Sequence, residues 1–185
     1  MTIRVALFGT ESTGKTTLAR RLADVFAAPW AEEYVRSFWH RRDGDIRVED
    51  LATIARGQID NEARAAARAG QLVVCDTELI TNTLWADLLF PGQCPAWVRA
   101  AAERRSRHYA LYLLCDTDID FVDDGQRCFP APAERERCRR IWRGALVERD
   151  LPFVDIRGPL PQRLNTAISA IRHATRVAPP RSHGR

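Results

Sequence analysis

Lysine is almost missing from this 185-residue chain: of its 28 Lys and Arg residues, Lys15 alone is a lysine. No N-K-x-D guanine-recognition motif can therefore be written with any other lysine, which excludes a GTPase that reads guanine by that route. The chain also lacks a C-x-x-C pair. Its five cysteines, Cys75, Cys94, Cys115, Cys128 and Cys138, are odd in number and lie mostly among apolar residues, so a reduced compartment is expected and zinc is not. Long hydrophobic runs are absent too: Leu72–Cys75 and Leu111–Cys115 are strand-length, far short of the roughly 20 residues a membrane span requires. The apolar part of Met1–Phe8 is too short for a secretory signal, so the expectation is a cytoplasmic chain with a mature N-terminus.

What is present fits one domain. A 45% hydrophobic content over this length can bury one core but not two. The net charge of +4 suits a site for anionic phosphates as well as a nucleic-acid partner, and decides nothing alone. Ile3–Phe8, Ala28–Ala31, Leu72–Cys75, Tyr109–Cys115 and Phe153–Ile156 read as short buried strands. Between them lie helical stretches at Lys15–Phe26, Val48–Ala69 (with Gly70 as C-cap), Glu78–Leu89, Ala96–Ser106, Ala133–Glu148 and Gln162–Thr175. Continuous apolar strands alternating with helices predict an α/β three-layer sandwich, a largely parallel five-stranded sheet with helices on both faces. The expected organisation is one domain over 1–176, with a lid at about 116–140 and a C-terminal tail from 177 to 185.

Gly9-Thr10-Glu11-Ser12-Thr13-Gly14-Lys15-Thr16 matches G-x-x-x-x-G-K-[ST] between a strand and a helix, the setting a P-loop requires. Glycines let successive backbone N–H groups and the helix N-terminus face phosphate oxygens. The segment Gly9 to Thr17 is thus the expected ATP site, with Lys15 bridging the β- and γ-phosphates and the Thr16 hydroxyl on Mg²⁺. Asp76, ending the apolar run Leu72–Cys75, is the candidate second Mg²⁺ ligand, or else a helix N-cap. Thr77 follows it where water-activating ATPases carry a Glu, so a phosphotransferase is expected.

A kinase needs a carboxylate near the acceptor hydroxyl and arginines that close over the phosphoryl group. Glu32 and Glu33 fall at the end of the second strand: Glu33 could take the acceptor proton, with Tyr34 and Arg36 holding substrate. Equally, the pair could open a helix and complement its dipole. In Asp123-Asp124-Gly125-Gln126-Arg127 the turn presents Arg127, the preferred lid arginine, with Arg135, Arg137, Arg139 and Arg140 on the next helix. Trp30, Trp39 or Trp85 could stack on a base, though core packing is the commoner use of tryptophan. The expected partner is a small-molecule nucleoside, with neither a membrane nor nucleic acid; Arg99–Arg107 and Arg135–Arg143 leave open an ATP-binding regulator that grips phosphate backbones.

Taken together, G-T-E-S-T-G-K-T at Gly9–Thr16, E-Y-V-R at Glu33–Arg36, R-G-Q at Arg56–Gln58, C-D-T at Cys75–Thr77 and V-D-D-G-x-R at Val122–Arg127 form an ordered set. In this the chain resembles, from roughly Val5 to Ile171, the P-loop ribosylnicotinamide kinase domain of the bifunctional regulators of NAD synthesis and the nicotinamide riboside kinase-like ATPases. The resemblance implies ATP-dependent phosphorylation of the ribose 5′-hydroxyl of nicotinamide riboside, with Asp76 and Glu33 at the acceptor or metal site. The bifunctional relatives also carry an adenylyltransferase domain with an H-x-G-H loop; this sequence has no such motif, and a stand-alone kinase domain is expected.

Overall fold

Five mainly apolar runs pair side by side, and the three central ones are largely buried on both faces. In the computed structural model, which describes residues 2–122, 125 and 128–177, they are β1 (Ile3–Phe8), β2 (Trp30–Ala31), β3 (Leu72–Asp76), β4 (Tyr109–Cys115) and β5 (Phe153–Ile156). All pairings are parallel, in the order β2-β3-β1-β4-β5. The helices are α1 (Lys15–Phe26), α2 (Tyr34–Arg41), α3 (Leu51–Arg68), α4 (Leu79–Leu89), α5 (Ala96–Ser106), α6 (Pro132–Glu148) and α7 (Leu160–Val177).

Alternation along β1 divides the core. Val5 and Leu7 point to one face, where Leu18 and Leu22 of α1 and Ala167 and Ile171 of α7 cover them. Ala6 and Phe8 point to the other, beneath Ala55 of α3, Ile80 of α4, Val98 of α5 and Trp142 of α6. This is the expected three-layer sandwich, and among the described residues no helix is long and apolar enough to cross a membrane.

Register then gathers the strand ends. Leu7 lies opposite Asp76, and Ala31 opposite Cys75, so the segments leaving β1, β2 and β3 emerge at one edge of the sheet. That edge, beside the central strand where the chain order reverses, is where parallel sheets open a crevice.

Boundaries differ from expectation in several places. After β2 the chain enters α2, as the helix-opening alternative for Glu32 and Glu33 has it, and β2 itself starts at Trp30 rather than Ala28. The helix expected from Val48 opens with a 3₁₀ turn at Val48–Asp50 and stops at an extended Ala69, so Gly70 supplies no left-handed cap. Helix α7 starts two residues early, because Pro161 is tolerated in a first turn where no N–H is needed.

Candidate active site

The loop between β1 and α1 is shaped by a close approach. Gly9 has φ of 146°, and a Cβ there would lie 2.8 Å from the Cys115 carbonyl oxygen of β4, so only glycine fits. The Thr13 hydroxyl donates to the Thr10 carbonyl at 2.8 Å, and Lys15 Nζ donates to the same oxygen at 2.6 Å. The ammonium is thereby folded back over its own loop. Gly14 and residues Lys15 to Thr17 line a cavity of about 370 Å³ with Arg20, Glu33 and Arg36.

Thr16 Oγ1 donates to Asp76 Oδ2 at 2.6 Å, which joins the start of α1 to the end of β3. Asp76 is wholly buried, and its other oxygen, Oδ1, has no hydrogen-bond partner. Burial, and then the nearby Glu33 charge, push its carboxyl up to about 6, against the opposing pull of the Thr16 hydroxyl and Lys15. A hydroxyl beside a carboxylate with an unsatisfied oxygen fits a Mg²⁺ ion that takes its other ligands from phosphates and water. No group of three or more His, Cys, Asp or Glu side chains that could hold a metal ion occurs among the described residues. The alternative of Asp76 as a helix cap is not what is seen: Glu78 caps α4, its carboxylate accepting from Ile80 N and Thr81 N.

Glu33 occupies the N-cap position of α2, as the helix-opening alternative anticipated, but its side chain makes no capping bond. It accepts instead from Thr77 Oγ1 at 3.0 Å. Tyr34 turns its ring onto α3, and Arg36 joins Glu33 in the cavity wall. Glu33, Arg36, Thr16 and Asp76 also line a smaller cavity of about 220 Å³.

Next to the polar cavity lies a second of about 400 Å³, lined by Trp39, Ile46, Leu51, Ile54, Trp85, Leu89 and Phe90, with Asn82 among the few polar groups. Glu11, Val35 and Trp85 line both. Trp39 and Trp85 are therefore placed to meet a ring, whereas Trp30 packs under the Arg20 guanidinium at 4.9 Å and lines only the small cavity. From above, Phe129 stacks on Trp85 with ring centroids 5.9 Å apart. The Glu11 carboxylate accepts from Phe129 N at 2.6 Å and Cys128 N at 2.9 Å, which ties that segment to the phosphate loop.

Arg127, Gln126 and the two aspartates before Gly125 lie outside the described residues. Of the other arginines expected near the lid, Arg135 reaches the loop, donating to Ser12 O at 3.2 Å and Ile119 O at 3.0 Å. Arg139 pairs with Asp116 at 2.9 Å, Arg143 with Asp155 at 2.6 Å and Arg105 with Glu62 at 2.7 Å, so much of the arginine-rich sequence is engaged with this chain's own carboxylates.

Sequence reasoning missed Arg163. Only 3% exposed, it donates to Thr13 O at 2.8 Å and Gly158 O at 2.7 Å and pairs with Asp118, so α7 props the phosphate loop from behind. Arg163→Ala should cost about 1–3 kcal/mol, because it strands buried carbonyl oxygens; thermal unfolding reads this as a drop of several degrees in Tm.

Residues 4–163 match the AAA domain family. The chain belongs to that family. Among proteins similar to this AAA domain chain, the trifunctional NAD biosynthesis/regulator protein NadR of Salmonella typhimurium is 26% identical over 157 residues, 83% of this chain and 38% of NadR. The chain thus spans little more than a third of that relative's length. A crystal structure of NadR in complex with NR superposes with a TM-score of 0.81 at 27% identity, over 99% of this chain and 54% of that one. A second, of NadR with NAD and AMP-PNP, gives a TM-score of 0.72 at 26% identity over 99% and 52%.

Proposed function

We propose that the chain is an ATP-dependent kinase that phosphorylates the ribose 5′-hydroxyl of nicotinamide riboside to give nicotinamide mononucleotide. The observation that carries this reading is the shared wall: Glu11, Val35 and Trp85 line both a polar cavity at the phosphate loop and an aromatic, apolar one beside it. A nucleoside needs both, a dry slot for its ring and an exit for its hydroxyl towards the phosphoryl donor. The likeness to NadR bound to NR and to an ATP analogue supports the choice of ring and donor. Residues 1–176 would form one kinase domain, with 116–140 as its lid.

Catalysis is then largely positioning and charge neutralisation. The backbone from Gly9 to Thr17 binds the β- and γ-phosphates, and Lys15 leaves the Thr10 carbonyl to meet them. Thr16 and Asp76 would hold Mg²⁺, which when bound neutralises phosphate charge. Glu33 takes the 5′-hydroxyl proton, because it lines the larger polar cavity while Asp76 is buried behind it. The freed oxygen bonds to the γ-phosphorus as the bond to the bridging oxygen of ADP breaks. Arg36 frames the acceptor side, while the Tyr34 ring is turned away onto α3, and Arg127 is the arginine proposed to close over the phosphoryl group.

The raised Asp76 carboxyl carries a pH prediction. Its ordinary value is 3.8 and in the fold about 6, so between these the folded apo protein holds a proton that the unfolded chain has released. That contribution favours the fold at low pH and is lost as pH rises through about 6. Mg²⁺-nucleotide binding needs the ionised form, so affinity should weaken about tenfold per pH unit below that value. Titration calorimetry at several pH values checks this, and Asp76→Asn should abolish the dependence.

ADP release measured with ATP and Mg²⁺ across a nucleoside panel tests the reading. Stimulation by nicotinamide riboside is expected. Stimulation by a different nucleoside alone would keep a kinase but replace its substrate, and none at all would favour an ATP-binding regulator.

A further inference from the structure

The R-G-Q segment sits in the middle of α3, and nothing in the reaction just described uses it. A glycine inside an 18-residue helix costs stability relative to alanine. Here it clears space: a Cβ on Gly57 would lie 2.3 Å from the Tyr34 ring, so the ring lies flat on the helix only because position 57 is bare. Gln58, 1% exposed, accepts from Tyr34 N at 2.9 Å and donates from its amide nitrogen to the Thr77 carbonyl at 3.3 Å. One turn on, Asn61 Nδ2 donates to the Glu32 carbonyl at 2.9 Å. Backbone groups on both sides of Glu33 are therefore held from α3. The Gln58 amide also fixes Thr77, which has φ of 75°, a conformation costly for a β-branched residue. In that conformation the Thr77 hydroxyl donates to Glu33.

We propose that Gly57, Gln58 and Asn61 form a clamp on α3 that positions the Glu33 carboxylate through Thr77, and so sets its alignment with the acceptor hydroxyl without touching either substrate. The proposal rests on the kinase reading, with Glu33 as proton acceptor. Gln58 and Thr77 are positioning residues: Gln58 sets the backbone, and Thr77 orients one carboxylate oxygen, leaving the second for the incoming proton. A primary amide is suited to the first task because it alone among uncharged side chains of this length offers a donor and an acceptor on one plane.

The test uses the whole chain. Gln58→Leu, close in size and without polar atoms, and Thr77→Val, which keeps the β-branch but loses the hydroxyl, should each lower kcat about 100-fold, the scale of a misplacement of about 1 Å. The KM for ATP should stay within about twofold, because the phosphate loop is untouched. Thr77→Ser restores the hydroxyl and should recover most of kcat. In Gln58→Leu, amide exchange at Tyr34 should accelerate while the α3 amides stay protected. Wild-type kcat in Gln58→Leu and Thr77→Val, or equal losses in Thr77→Val and Thr77→Ser, would overturn the clamp and leave the kinase reading intact. A wild-type chain inert towards every nucleoside would overturn the kinase reading instead. Unchanged Tyr34 exchange in Gln58→Leu would overturn the clamp whatever the substrate proves to be.

Discussion

Lys15→Ala is expected to lower kcat by about a thousandfold while leaving the unfolding midpoint where it was. The magnitude is that of removing one preorganised charge from the transition state of a group transfer. The fold survives because, among the described residues, the Lys15 ammonium bonds to the Thr10 carbonyl of its own loop, and the partly buried side chain belongs to neither hydrophobic core cluster. Arginine should not substitute, since a planar fork cannot follow the tetrahedral phosphate oxygens within a loop this tight. Steady-state ADP release and a thermal melt on the same preparation separate lost chemistry from lost structure. A Lys15→Ala protein with wild-type turnover would contradict the phosphate-loop assignment.

Glu33→Gln should lower kcat by about a hundredfold to ten-thousandfold, the usual contribution of general acid–base assistance. The change is isosteric, and the Thr77 hydroxyl can still donate to the amide oxygen, so position is kept while proton acceptance is lost. KM for ATP should hardly move. If Asp76 were the base, Glu33→Gln would retain most activity and Asp76→Asn would lose it without loss of Mg²⁺-nucleotide binding. The burial of Asp76, its bond to Thr16 and its absence from the wall of the larger cavity favour Glu33.

The parts of this molecule legible in the sequence are those fixed by local pattern. The strands announce themselves because parallel strands buried on both faces are unbroken apolar runs, and the phosphate loop because its glycines answer a backbone requirement within eight residues. Asp76 and Glu33 could be found from position alone, at the ends of adjacent parallel strands. Helix α2 was legible only as the helix-opening alternative for Glu32 and Glu33, because its eight residues, with Tyr34 and Phe38 one turn apart, are too few for a period to show. Gly57 reads as a defect in an alanine-rich helix until the Tyr34 ring is seen on it. Arg163 reads as one more charge on a polar helix face, since nothing local distinguishes it from Arg172 or Arg176. What buries it is the docking of α7 beneath a loop 150 residues earlier, a tertiary fact without a local signature.

The arginine-rich stretches show the same limit from the other side. As a sequence, Arg135–Arg143 could be a nucleic-acid grip; in the fold Arg135, Arg139 and Arg143 reach this chain's own carbonyls and carboxylates.

The central claim is tested most directly by incubating the protein with ATP, Mg²⁺ and nicotinamide riboside and identifying the product by mass and by phosphorus NMR. The account predicts a product heavier by one phosphoryl group, esterified at the ribose 5′-oxygen, formed one for one with ADP and about a thousandfold more slowly with Lys15→Ala. ADP formation without a phosphorylated nucleoside, or a phosphate on another position of the ribose, would contradict it.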